Sequence, residues 1–149
     1  MELVTQFSVF LVNKPGVLAQ VTKQIAQVKT NVIAMTMTDS SEHGVLRLVG
    51  ADPTKLRTAL AVLNLPTTET DVLIVTMANR PGALADVCQK LASAHINISY
   101  AYCTTGASGG KTKAIFKVAD TQKAIKVLKE KALKHRDTKD KFRRPAVLR

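Results

Sequence analysis

The chain has 149 residues, a formal net charge of +11, 46% hydrophobic and 4% aromatic residues, and no Trp. That apolar content excludes a disordered chain and leaves room for one ordinary domain or two small ones, while the shortage of aromatics argues against a surface that reads bases by stacking. No stretch approaches the roughly 18 to 20 apolar residues of a membrane span, the start Met1-Glu2-Leu3-Val4 lacks the basic flank and long apolar run of a signal peptide, and Cys88 and Cys103 have no metal-type spacing, so the expectation is a cytoplasmic protein without metal or cofactor.

In chain order, Phe7, Val9 and Leu11 alternate with Gln6, Ser8, Phe10 and Val12, the period of a strand with one buried face. Asn13-Lys14-Pro15-Gly16 then makes a turn, and Leu18, Val21, Thr22, Ile25 and Ala26 recur at helical spacing. Two β-rich segments follow, 31–38 and 44–50, around a polar turn that holds His43. Asp52 caps a second helix with Pro53 at its first position and Leu56, Leu60 and Leu63 inward. A short fourth strand is expected over 65–70, running almost directly into a second copy at Asp71.

The second copy is visible as a repeat. Asn13-Lys14-Pro15-Gly16-Val17-Leu18-Ala19 returns as Asn79-Arg80-Pro81-Gly82-Ala83-Leu84-Ala85, 66 residues on. Asn31-Val32 falls on Asn97-Ile98. Asp52 and Lys55 fall on Asp120 and Lys123, 68 residues on, the two extra residues fitting the Gly-rich turn at 106–110. Leu73, Val75 and Met77 repeat the first strand, and Leu84, Val87, Cys88, Leu91 and Ala92 repeat the helix, which makes Cys88 a packed thiol. Strands are expected at 97–104 and 113–118, then a helix opened by Asp120 and Thr121.

The order strand, helix, strand, strand, helix, strand predicts an α+β protein of two tandem ferredoxin-like βαββαβ domains, 1–69 and 70–134, with antiparallel sheets and helices on one face. Phe10, Val12, Val72 and Ile74 lie on the opposite face, and their apolar character predicts partial cover by the other copy or another subunit. The segment 135–149 is a basic tail, and the chain from Thr121 onward carries +8 of the net charge. Only Ala146-Val147-Leu148 could form a last strand there, an edge strand because of Pro145, so the second sheet is expected to be completed irregularly or by another chain.

A turn followed by a helix start presents free backbone N–H groups and the positive end of the helix dipole, a ready site for a carboxylate. Gly16 and Gly82 allow close approach of a ligand to the backbone, Pro15 and Pro81 set φ for helix entry, and Asn13 and Asn79 can both donate and accept toward an amino acid. The same residues also fit a turn or cap with no ligand. Both readings stand at this point, as they do for Asn31 and Asn97.

Asn-Lys/Arg-Pro-Gly-x-Leu-Ala after a strand, with Asn-Val/Ile opening the next, resembles an ACT domain. The resemblance covers residues 3–134 in two copies, and 96–102 is similar to stand-alone tandem ACT proteins. It implies small βαββαβ modules that bind amino acids or other metabolites, regulate enzymes of amino-acid metabolism, and hold the ligand between the first loop of one module and the second strand of its neighbour. Carried over, the loops are Asn13, Lys14, Pro15, Gly16, Val17 and Leu18, and Asn79, Arg80, Pro81, Gly82, Ala83 and Leu84. The second strands supply Asn31, Asn97 and Ile98. Serine-binding members carry a His shortly before the loop, where this chain has Leu11 and Met77, a departure that favours a more apolar ligand.

The expected protein is therefore a regulator without a catalytic domain, binding a small molecule of the amino-acid class between modules or across a homodimer and acting on a separate enzyme. His43, His95 and His135 do not recur between copies and form no acid–base pair, which argues against an enzyme. The competing class is a nucleic-acid module. Its third strands would need Gly and aromatic residues, whereas these read Val45-Leu46-Arg47-Leu48-Val49 and Ala114-Ile115-Phe116-Lys117-Val118; the basic tail remains as a phosphate contact.

Overall fold

The computed structural model describes residues 1–39, 43–104 and 110–134. Its elements are β1 (Glu2–Val12), α1 (Val17–Gln27), β2 (Val32–Asp39), β3 (His43–Gly50), α2 (Pro53–Val62), β4 (Thr67–Ala78), α3 (Ala83–Ser93), β5 (Ile98–Cys103), β6 (Lys111–Val118) and α4 (Thr121–Lys134). All six strands join one antiparallel sheet in the order β2-β3-β1-β4-β6-β5. Both copies of the expected pattern are present, and the expected short strand at 65–70 is the first half of β4, which runs unbroken into the second copy.

The register is that of a pseudo-twofold. Thr5 stands opposite Asp71, 66 residues away, at the centre of the β1–β4 ladder, and Glu2↔Ile74 mirrors Ser8↔Thr68 about that pair. Phe7↔Leu48 in the first copy corresponds to Leu73↔Phe116 in the second. Even the irregularity repeats, between Val32 and Ala34 in β2 and between Ile98 and Tyr100 in β5.

This arrangement answers how the second sheet is completed. In the first copy the strand beside β1 is Thr67–Thr70; in the second, the equivalent place beside β4 is taken by Glu2, Leu3 and Val4. Each copy thus lends the front half of its first strand to the other. The sheet is completed from within the chain, by its N-terminal residues. The other possible last strand, 146–148, lies outside the described residues.

One sheet face carries the helices. Phe7, Val9, Leu11, Leu46 and Leu48 pack with Val21, Ile25, Leu56 and Leu60 in the first copy. Leu73, Ala114, Phe116 and Val118 pack with Val87, Leu91, Ala124 and Leu128 in the second, with Cys88 partly buried against them. Asp52 caps α2 as its sequence predicts, its Oδ1 accepting from the N–H groups of Thr54 and Lys55 at 3.0 and 3.1 Å. Lys29 and His95, at equivalent places, take positive φ (50° and 54°) just after α1 and α3, so His95 serves as a chain-reversing residue.

The opposite face is not left to solvent. The sheet coils until its edge strands β2 and β5 approach each other, and a third core forms from Ala34, Val49, Val72, Ile74 and Ile115 with Val4, Ile33 and Tyr102 around it. Val72 and Ile74 are therefore covered by the other copy, as their apolar character predicts. Phe10 and Val12, near the end of β1, remain about 41% and 46% exposed.

The two halves of this inner layer differ chemically. Where the second copy places Val72 and Ile74, the first has the buried Gln6 and Ser8. Gln6 Nε2 donates to Tyr100 Oη at 2.7 Å and Ser8 Oγ at 3.2 Å, and the Tyr102 hydroxyl donates to Gln6 Oε1 at 3.0 Å. The Arg47 guanidinium lies 4.5 Å from the Tyr100 ring centroid. Burial, with Tyr100 adding to it, pushes the Tyr102 phenol well above its ordinary pKa, so it stays a neutral donor.

Candidate functional site

The two Asn-x-Pro-Gly turns adopt one conformation. Lys14 N–H bonds the Val12 carbonyl at 2.9 Å and Arg80 N–H the Ala78 carbonyl at 3.0 Å. Gly16 and Gly82 are the N-cap residues, at φ 89° and 85°. That left-handed geometry is why the motif ends in glycine. Nothing lies within 4 Å of a Cβ built on Gly16, so its requirement is conformational rather than steric. Gly16→Ala is expected to lower stability by about 1 kcal/mol through backbone strain alone, measurable by denaturant unfolding.

Neither helix start has a side-chain cap. The capping reading of Asn13 and Asn79 thus gives way: the cap position belongs to the glycine three residues later, and the first-turn N–H groups of α1 and α3 face outward without a side-chain acceptor. Pro15 and Pro81 stand two residues before the first helical residue rather than inside the helix. Asn13, Lys14 and Gly16 are exposed, as are Arg80's neighbours Pro81 and Gly82. Arg80 reaches across its own turn, donating to the Pro81 carbonyl at 3.0 Å and pairing with Asp86 at 2.9 Å. Lys14 faces Gln20 at the corresponding places, so the second loop is the more ordered and more polar of the two.

Along the strands the sites are separated. β1 and β4 run antiparallel about Thr5 and Asp71, so the two turns leave opposite ends of the ladder, on the order of 50 Å apart at about 3.3 Å per residue. Asn31 and Asn97 precede Val32 and Ile98, which pair with Gly50 and Val118 near the level of Thr5 and Asp71. Both Asn are exposed. Their positions in the ladder place them in the middle of the molecule and the turns at its ends. The register of the single chain therefore does not set a first loop beside a second-strand Asn; Val17, Leu18, Ala83, Leu84 and Ile98 stay with their own elements.

Other candidate chemistry is sparse among the described residues. They hold no cluster of metal-ligating groups and no helix long and apolar enough to cross a membrane. Cys88 and Cys103 are free thiols; burial first, then Cys88, pushes the Cys103 thiol above its ordinary pKa, the opposite of an activated nucleophile. Arg57 and Glu69 form a bidentate pair at 2.6 and 2.7 Å that ties α2 to β4, which lowers the Glu69 pKa and raises that of Arg57. One feature gives no sign in the sequence: a groove of about 460 Å³ beside β4, bounded by Arg80 and Ala83 of the second loop and by α4.

The model of the ACT domain pair matches residues 2–143. This chain belongs to the ACT domain pair family. Among solved structures, a protein of Bacteroides thetaiotaomicron is 32% identical with a TM-score of 0.81, over 87% of this chain and 89% of that one. The ligand-free regulatory subunit of aspartate kinase from Thermus thermophilus is 14% identical with a TM-score of 0.63, over 87% and 97%. Its counterpart from Thermus flavus is 18% identical with a TM-score of 0.56, over 87% and 93%. These two share the fold with this ACT pair. Among curated proteins none matches the chain.

Proposed function

We propose that this ACT pair is a non-catalytic, cytoplasmic regulator that binds an amino acid at its Asn-x-Pro-Gly turns and acts on a separate enzyme. The observation that carries this reading is the pair of uncapped helix starts, each behind a left-handed glycine and an exposed Asn-bearing turn. Outward N–H groups at a helix N-terminus suit an α-carboxylate, and Asn13 or Asn79 suits the α-amino group. The repeating modules are 1–69 and 70–134.

Because the turns lie at the ends of the ladder and Asn31 and Asn97 near its middle, a site combining them takes its second half from another chain. A homodimer supplies it. The exposed Val32, Met35 and Met37 on the free edge strand β2 give such a dimer apolar surface to bury. Ligand then favours the dimer arrangement in which both halves meet, by its differential affinity for that arrangement.

The test is thermal unfolding of the full chain against a panel of the proteinogenic amino acids. A ligand at 100 times its dissociation constant adds about 2.7 kcal/mol. One or two related, apolar amino acids are expected to raise the midpoint, and Asn13→Ala with Asn79→Ala to abolish the shift while leaving the unliganded midpoint in place. A flat panel, or a shift that survives both substitutions, overturns the reading. Base stacking finds no support: the helix-free sheet face that RNA-recognition modules use is closed here by Val49, Val72, Ile74 and Ile115.

A further inference from the structure

The pseudo-twofold is broken at one place. In the first copy, Phe10 N–H donates to the Pro66 carbonyl at 2.9 Å, away from β3, and Leu63 and Leu65 pack against the helix-face core. The segment between α2 and β4 thus lies as an extended strip along the end of β1. In the second copy the residue equivalent to Phe10 is Thr76, and the equivalent of Pro66 would precede Met1. The β1–β4 ladder stops at Glu2↔Ile74. Beyond it, β4 pairs with β6 on one side through Thr76↔Lys113 and Ala78↔Lys111, and its other edge is bordered by the groove of about 460 Å³.

That groove occupies the place of the missing strip. Its apolar wall is Val75, Met77, Val87 and Leu128, the counterparts of the residues Val9, Leu11, Val21 and Leu60 that sit under Leu63 and Leu65. Its charged rim has no counterpart. Arg80, Asp86, Lys90 and Lys129 stand where the first copy has Lys14, Gln20, Gln24 and Ala61. Three cations against one carboxylate leave the rim net positive, around an open strand edge and an apolar wall.

We infer that the β4 edge at Val75–Ala78 is a docking site for an extended acidic peptide segment of a partner protein, which adds a strand where the first copy uses its own residues 63–66. Main-chain bonding to Thr76 supplies affinity, one or two aliphatic side chains fill the wall, and Lys90, Lys129 and Arg80 select for carboxylates. The basic C-terminal segment of the chain itself has the wrong charge for this rim. The proposal stands apart from amino-acid binding at the turns.

The probes are three synthetic peptides built on Leu-Asn-Leu-Pro-Thr, the chain's own residues 63–67, flanked by Glu, by Gln or by Lys, titrated into the full chain with hydrogen exchange read at the Thr76 amide. Expected is fast exchange at Thr76 in the free protein, slowed by the Glu-flanked peptide, with affinity falling in the order Glu, Gln, Lys. Lys90→Glu and Lys129→Glu, both on exposed helix faces, should each weaken the Glu-flanked peptide about fivefold, the scale of one exposed ion pair, and strengthen the Lys-flanked one. Protection of Thr76 before any peptide is added would mean the chain fills the groove itself, and would overturn the proposal. So would equal affinity for all three peptides, or none. An amino acid that protects Thr76 where no peptide does would make the groove a small-molecule site instead.

Discussion

Deleting residues 1–5 is expected to unfold the second half of the molecule before the first, although every deleted residue lies in the first half of the sequence. Glu2, Leu3 and Val4 pair with Ile74, Leu73 and Val72 and cover the inner face of β4. Their loss removes several ladder hydrogen bonds at about 1 kcal/mol each and re-exposes part of Val72 and Ile74, at about 1.5–3 kcal/mol for each side chain fully uncovered. The total, on the order of 5 kcal/mol, rivals the whole stability of a typical domain. Hydrogen exchange would show the loss first in β4, β5, β6 and α3, and later in α1 and β3. If the unfolding midpoint stayed in place, some other segment would have to supply the strand beside β4, and the exchange of strand halves described here would be wrong.

This strand exchange also shows how far a sequence can be read. The repeat at Asn13–Ala19 and Asn79–Ala85, the alternation in Phe7–Leu11 and the Asp52-Pro53 helix start each depend on a few neighbouring residues, so they were legible and the structure bears them out. The role of residues 2–4 depends on what lies opposite them across the sheet. Leu3 and Val4 look like the ragged start of β1, and Thr67-Thr68-Glu69-Thr70 has little apolar pattern of its own. The clue available was arithmetic: both segments sit at the same distance before their Asn-x-Pro-Gly turn, so whatever one does for its neighbour the other does in return. The coarse site was legible because its glycines answer to local backbone geometry. Its relation to Asn31 and Asn97 was not, because that relation is set by the β1–β4 register. The groove beside Thr76 was invisible for a further reason, since it is defined by residues that are missing from one copy and present in the other.

The second large effect is expected at Gln6, whose counterpart in the other copy is Val72. Gln6→Val makes the two copies alike at this position, yet it should destabilise the protein by about 2–4 kcal/mol. The amide is fully buried and holds Ser8, Tyr100 and Tyr102 together. Without it, two tyrosine hydroxyls lose a partner in a layer that admits little water, and an unsatisfied buried polar group costs about 1–3 kcal/mol. Removing the hydroxyls as well should undo most of the damage. Tyr100→Phe with Tyr102→Phe is expected to be costly beside Gln6 and nearly neutral beside Val at position 6, because polar partners deleted together leave nothing unpaired. Denaturant unfolding of the wild type, the two single steps and their combination closes the cycle. Additive losses would mean that the tyrosines contribute only as packed rings. A coupling of 1 kcal/mol or more would show the network acting as a unit, polar on one side of the pseudo-twofold where the other side is dry. Such a unit fixes how the two modules face each other: the Gln6 amide accepts partners at one spacing, whereas the apolar contacts of Val49, Val72 and Ile115 would tolerate small slides. A ligand at either turn then acts on two modules whose mutual orientation is already set.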